Sequence, residues 1–202
     1  MPESDQIVPR PRYTSRIAPF VDVPVIKVIT GARRSGKSTV LDILAQQIRQ
    51  DHPRAQVVHL NLESTAGLGI RSPEQLLDHL VTRAPDRDQR AYLFLDEIQQ
   101  VPGWERVVNA LRLDWECDIY LTGSNSRMLS GDLATHLAGR YVTTRVQPLA
   151  FAEYKALRLL SLTASGGEPP SDQELFQDYL ALGGFPGLRY FRGEREASLT
   201  YR

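Results

Sequence analysis

Gly31, Gly36, Lys37 and Ser38 stand in GARRSGKS (31–38) at the offsets of a loop that cradles phosphate. Glycine lets the backbone adopt conformations closed to other residues and approach the phosphates closely. The amide hydrogens then turn inward, and the positive end of the following helix faces the anion. Lys37 would bridge the outer phosphates and Ser38 would offer its hydroxyl to magnesium. Ala32, Arg33, Arg34, Ser35 and Thr39 complete the set expected to line the nucleotide. A merely basic, flexible loop is the other reading. The context argues against it, because VIKVIT precedes the motif as a strand and an amphipathic helix follows it.

A second group of candidates ends the apolar run AYLFLDE (91–97). Carboxylates at the carboxyl edge of a parallel sheet reach the crevice where ligands sit. Asp96 would hold magnesium through its water shell. Glu97 would orient and deprotonate the water that attacks the γ-phosphate. In LTGSNS (121–126), Ser124 or Asn125 would meet that water or the γ-phosphate, unless the segment is simply a turn. Arg140 in LAGRY would supply charge to a neighbouring subunit's transition state, or serve as a surface arginine. Asn61 in HLNLE is a candidate for holding Glu97 in an idle orientation.

These residues need a scaffold that brings strand ends together. Five short runs read as strands: VIKVIT (25–30), QVVHLNL (56–62), AYLFLDE (91–97), DIYLTGS (118–124) and YVTTRVQ (141–147). Near-continuous apolar strands alternating with helical patterns argue for a parallel sheet covered on both faces. STVLDILAQQIRQ places Val40, Leu41, Leu44 and Ile48 on one helical face. SPEQLLDHLVTR opens with Ser72 at the N-cap, Pro73 at the first helical position and Gln75 closing a capping box. WERVVNALR buries Trp104, Val107, Val108 and Leu111 at helical spacing.

The expected organisation is an N-terminal lead-in over 1–24, partly extended, a nucleotide-binding domain over 25–147, and a small helical appendage over 148–202. Within the appendage, PLAFAEYKALRLL and ELFQDYLALGG read as helices joined by the linker TASGGEPPSD. Composition bounds the partners. Lys and Arg balance Asp and Glu at 24 each, so no global field favours nucleic acid or an anionic membrane. No apolar run approaches the roughly 18 residues of a bilayer-spanning helix. The one cysteine, Cys117, excludes an internal disulfide and a cysteine-based zinc cluster, which fits a cytoplasmic setting.

With these motifs in view, the chain resembles a prokaryotic family of AAA-type P-loop ATPases. The matching segments are VITGARRSGKS, HLNLE, YLFLDEIQ, WERVVNALR, DIYLTGSNSRMLSG, LAGRY, PLAFAEY and YLALGGFP, spread from about Arg16 to Tyr190. DEIQ followed by TGSNS and GRY is far more specific than the phosphate loop alone. The resemblance implies a three-layer α/β sandwich with sheet order 5-1-4-3-2, ATP and Mg²⁺ as ligands, and the roles given above for Lys37, Ser38, Asp96, Glu97, Ser124 or Asn125, and Arg140. It also implies a C-terminal effector domain of uncharacterised function that this sequence lacks. At Gly187 in GGFPG the family usually carries an acidic residue, which puts the appendage's usual contact in question and not the nucleotide site.

The leading functional expectation is therefore a Mg-ATP-hydrolysing module coupled to that effector. The alternative is a nucleotide sensor with negligible turnover, since phosphate-loop switches lacking a partner's arginine hydrolyse slowly. A small-molecule kinase is disfavoured, because neither an acceptor pocket nor a closing lid is evident. Nucleic acid is a weaker partner expectation, carried by Arg33, Arg34 and RYFRGER near the C-terminus.

Overall fold

The computed structural model describes residues 7–123, 137, 139–163 and 169–187 of the chain. Contacts divide these into two units. One comprises Pro11–Arg33 and Lys37–Val146; the other comprises the residues up to Arg10, Arg34–Gly36, and those from Gln147 onward.

The larger unit is built on a five-stranded sheet: β1 (Ile26–Gly31), β2 (Gln56–Asn61), β3 (Ala91–Asp96), β4 (Cys117–Thr122) and β5 (Tyr141–Val146). Its order is β2-β3-β4-β1-β5 with every neighbouring pair parallel. This is the expected 5-1-4-3-2 order. β1 and β3 are buried along their whole length. Successive side chains of a strand point to opposite faces, so each strand feeds two cores. Ile26, Val28, Leu93, Leu95, Ile119 and Leu121 join one apolar cluster; Ile29, Tyr92, Phe94 and Tyr120 join the other.

Each cluster is closed by helices whose apolar residues recur at helical spacing. α3 (Pro73–Arg83) and α4 (Trp104–Asp114) bring Leu76, Leu80, Trp104, Val107, Val108 and Leu111 to the first. α2 (Lys37–Asp51) brings Val40, Leu41, Leu44, Ala45 and Ile48 to the second. Ser72 caps α3 and Gln75 closes the predicted box. Burying a leucine or isoleucine fully contributes about 1.5–3 kcal/mol against leaving it in water, so these faces hold the three layers together.

One local expectation is corrected. PRYTSRI is not extended: Pro11–Ile17 forms α1. Proline suits a first helical position. Tyr13 and Ile17, four residues apart, pack into the second cluster beside Val146. That apolar spacing was present in the sequence but was masked by the polar, proline-rich composition around it.

In the smaller unit, α5 (Phe151–Thr163) and α6 (Asp172–Leu182) share a cluster of Val8, Leu149, Tyr154, Leu157 and Leu175. Ser171 and Glu174 form a capping box at the start of α6. The Tyr179 hydroxyl donates to the Leu149 carbonyl at 3.0 Å, and Leu149 N–H donates to Gly184 O at 2.6 Å. A side chain at Gly184 would strike that Leu149 carbonyl, so only glycine lets the two backbones meet.

Candidate nucleotide site

Residues 31–38 join β1 to α2 as a tight turn. Arg34 has φ 65° and Gly36 has φ 95°, conformations that favour glycine at the second position. Ala32, Arg33, Arg34 and Ser38 are exposed, Gly36 and Thr39 half-buried, and Gly31 and Ser35 buried. Lys37 opens α2 and is only 4% exposed. Its ammonium lies 3.4 Å from the Ala32 carbonyl and 3.4 Å from Glu97 Oε1. Charge-assisted bonds normally close to about 2.7–2.9 Å. Among the described residues, then, this buried cation makes only long contacts.

Asp96 is the last residue of β3 and is buried. Two neighbours fix its carboxylate. Asn61 Nδ2 donates to Oδ2 at 2.8 Å, and the Thr122 hydroxyl donates to Oδ1. The parallel register explains both, because Asn61 pairs with Asp96 and the match of Leu95 with Leu121 brings Thr122 level with it. Asn61 therefore holds Asp96, not Glu97 as the sequence suggested. Residues paired across a parallel ladder face the same way. Glu97 has already left the strand.

Glu97 adopts the left-handed conformation, φ 54° and ψ 48°, a strain of about 1–3 kcal/mol for a non-glycine residue. Three contacts hold it there. Its N–H donates to Thr122 Oγ1 at 2.9 Å, Gln99 Nε2 donates to Oε2, and Lys37 faces Oε1. Nearby on α2, burial pushes the Asp42 carboxyl above its ordinary range. His59, whose Nδ1 lies 3.3 Å from Oδ1, opposes that shift, and the Asp96 charge adds to it.

Lys37, after β1, and Asp96 and Glu97, at the end of β3, thus stand at the carboxyl edge of the sheet with β4 between their strands. Arg140 is not among them. It is exposed just before β5, its carbonyl accepting from Ile26 N–H at 3.0 Å. The length of β1, about 16 Å at the usual strand rise, separates Ile26 from Gly31. Ser124 and Asn125 lie outside the described residues. Sequence reasoning missed Thr122 and Gln99. Thr122 stood inside the quoted LTGSNS, and its place one step past Leu121 was the available signal. Arg10, whose Nη1 donates to the Ser35 carbonyl at 3.1 Å, left no signal at all.

A hydrated magnesium takes few protein ligands and keeps several waters; Asp96 offers a buried carboxylate and Ser38 an exposed hydroxyl. Among the described residues no three His, Cys, Asp or Glu side chains converge into a denser metal cage.

A family profile described as an AAA domain matches residues 24–155. An uncharacterised protein of Haemophilus influenzae is 35% identical over 188 residues, covering 92% of this chain and 45% of the relative. The uncharacterised protein MJ1544 of Methanocaldococcus jannaschii is 33% identical over 165 residues, 81% of this chain and 36% of the relative. The chain therefore spans less than half the length of these curated relatives. Among solved structures, the Walker-type ATPase PABY2304 of Pyrococcus abyssi superposes with a TM-score of 0.63 over 98% of this chain and 72% of that one. At 15% identity, that likeness concerns the fold.

Proposed function

The chain belongs to the AAA domain family, and from that premise we propose that it binds Mg-ATP through residues 31–39 and hydrolyses it. One observation carries the reading. A buried lysine and a strained glutamate face each other beside a fixed aspartate, at the sheet edge where the phosphate-loop motif ends. Ser38 and Asp96 are the residues that would hold magnesium, which when bound offsets charge on the phosphates. Lys37 leaves Glu97 for the β- and γ-phosphates. Glu97, released, takes a proton from water as the water oxygen bonds to the γ-phosphorus. The bond from that phosphorus to the bridging oxygen breaks, and ADP departs with the electron pair.

The remaining roles belong to the same proposal. Ser124 or Asn125 would contact the γ-phosphate or the attacking water. Arg140, exposed at the opposite sheet edge, would serve the site of a second copy. Output would pass to the part of the longer relatives that this chain does not span, in a cytoplasmic setting. Among the described residues no helix is long and apolar enough to cross a membrane.

Two variants test the assignment. Glu97→Gln should bind ATP within about threefold of wild type while losing about 10²-fold or more of turnover, the usual contribution of a positioned base. Lys37→Ala should lose measurable ATP binding by calorimetry. Glu97→Gln hydrolysing ATP at the wild-type rate would remove the base from the mechanism. A second reading, a sensor with slow turnover, is favoured by the grip of Gln99 and Lys37 on Glu97. Specific activity that rises steeply with protein concentration supports Arg140 acting in trans and argues against that sensor.

A further inference from the structure

Arg10 lies outside every motif, yet it is among the most buried charged side chains described, 2% exposed. Its guanidinium donates to three groups among the described residues. Nη1 donates to the carbonyl of Ser35 at 3.1 Å, Nη2 to the carbonyl of Gln147 at 2.9 Å, and Nε to Glu153 Oε1 at 2.9 Å. The other Glu153 oxygen accepts from Ala150 N–H at 2.8 Å, which fixes the carboxylate. The same Nη1 presses on the next residue. A Cβ placed on Gly36 would fall 2.9 Å from it, with Pro186 3.6 Å away.

We propose that Arg10 is a positioning residue for the phosphate loop: by holding the Ser35 carbonyl, it sets the peptide that presents the Gly36 N–H to the anion. This rests on the ATP-binding reading above. No cis peptide occurs among the described residues, and in a trans peptide the C=O and the following N–H point to opposite sides. With the Ser35 oxygen drawn to Arg10, the Gly36 N–H is turned away from the guanidinium. The flanking glycine carries φ 95° and tolerates many conformations, so without the arginine this peptide is free to flip. A flipped peptide would present an oxygen where the phosphate needs a donor, replacing attraction by repulsion. Arginine is required because its rigid fork reaches two carbonyls and a carboxylate at once, whereas a lysine ammonium on a flexible stem lacks that geometry. Glu153 neutralises the charge locally. The contribution to binding is therefore the orientation of one amide, not added positive field.

The test compares Arg10→Lys, Arg10→Met and Glu153→Gln, with ATP and ADP affinity by calorimetry, kcat and KM, thermal melts, and the Gly36 resonance in selectively ¹⁵N-glycine-labelled protein. Glu153→Gln removes the ion pair but leaves the Ser35 contact. Arg10→Lys should bind both nucleotides at least about tenfold more weakly, the worth of one lost good hydrogen bond. Its Gly36 amide signal should move or broaden before any nucleotide is added. Glu153→Gln should melt lower yet bind within about threefold of wild type, with Gly36 unmoved. If Arg10→Lys, folded by its melt, binds as wild type with an unchanged Gly36 signal, the proposal is wrong. It is equally wrong if Glu153→Gln loses as much affinity as the arginine variants, because the role is then general stability. Should Arg10→Met not fold, the other two variants decide. Should wild type itself bind no ATP, the ATP reading falls, while the Gly36 signal of the nucleotide-free variants still judges the arginine.

Discussion

Two polar groups meet at the hydroxyl of Thr122. It donates to Asp96, accepts the N–H of Glu97, and so joins the two acidic residues through one buried atom. Without it, the left-handed turn at Glu97 loses the bond that offsets its strain, and among the described residues the Asp96 carboxylate keeps the Asn61 amide. Thr122→Val preserves shape and removes the oxygen. Leaving a buried N–H and a carboxylate oxygen without partners costs about 1–3 kcal/mol. We expect urea unfolding of Thr122→Val to give a stability lower by that amount. An unchanged midpoint would mean that water replaces the hydroxyl without loss.

At the scale of elements, the helices are specified by their ends. Ser72 Oγ accepts from Gln75 N–H at 3.3 Å, and Gln75 Oε1 accepts from the N–H groups of Ser72 at 3.2 Å and Arg71 at 2.7 Å. Three amides at the start of α3 are thereby satisfied with no tertiary partner. Ser72→Ala should lower stability by about 1 kcal/mol, the usual worth of a cap. Equilibrium urea denaturation reads this, and nucleotide affinity should not move, since α3 contributes nothing to residues 31–38. α6 repeats the device with Ser171 and Glu174.

At the scale of the whole molecule, the sheet hides an ion pair at the end opposite the nucleotide site. Lys27 on β1 and Asp118 on β4 form a salt bridge, each only 1% exposed at the side chain. Burial pulls the Lys27 ammonium pKa below its usual range, and Asp118 pushes back. Asp118 also accepts from the Tyr120 hydroxyl at 2.9 Å and Asp22 N–H at 3.0 Å, while Asp22 accepts from Tyr92 at 2.7 Å. Burial foremost, and Asp118 next, drive the Tyr120 hydroxyl pKa well upward, so it remains a donor. Removing one charge strands the other in a dry interior, a loss of about 3–5 kcal/mol. Lys27→Met should show that loss in chemical denaturation. Lys27→Met combined with Asp118→Leu should recover part of it; a double variant no better than the single one would show that the charge pair is not what matters.

The sequence by itself determined whatever depends on neighbours along the chain. Gly31, Gly36, Lys37 and Ser38 carry their chemistry in their spacing, Ser72 and Gln75 announce a helix start three residues apart, and apolar periodicity assigned the strands and most helices. The partner of Asn61, the left-handed turn at Glu97, the hydroxyl of Thr122 and the burial of Arg10 were decided only by the tertiary structure. Each links residues 25 to 143 positions apart through strand register or backbone packing. A one-residue change of register turns every side chain of a strand to the other face, and no local pattern of residues records which register two distant strands adopt.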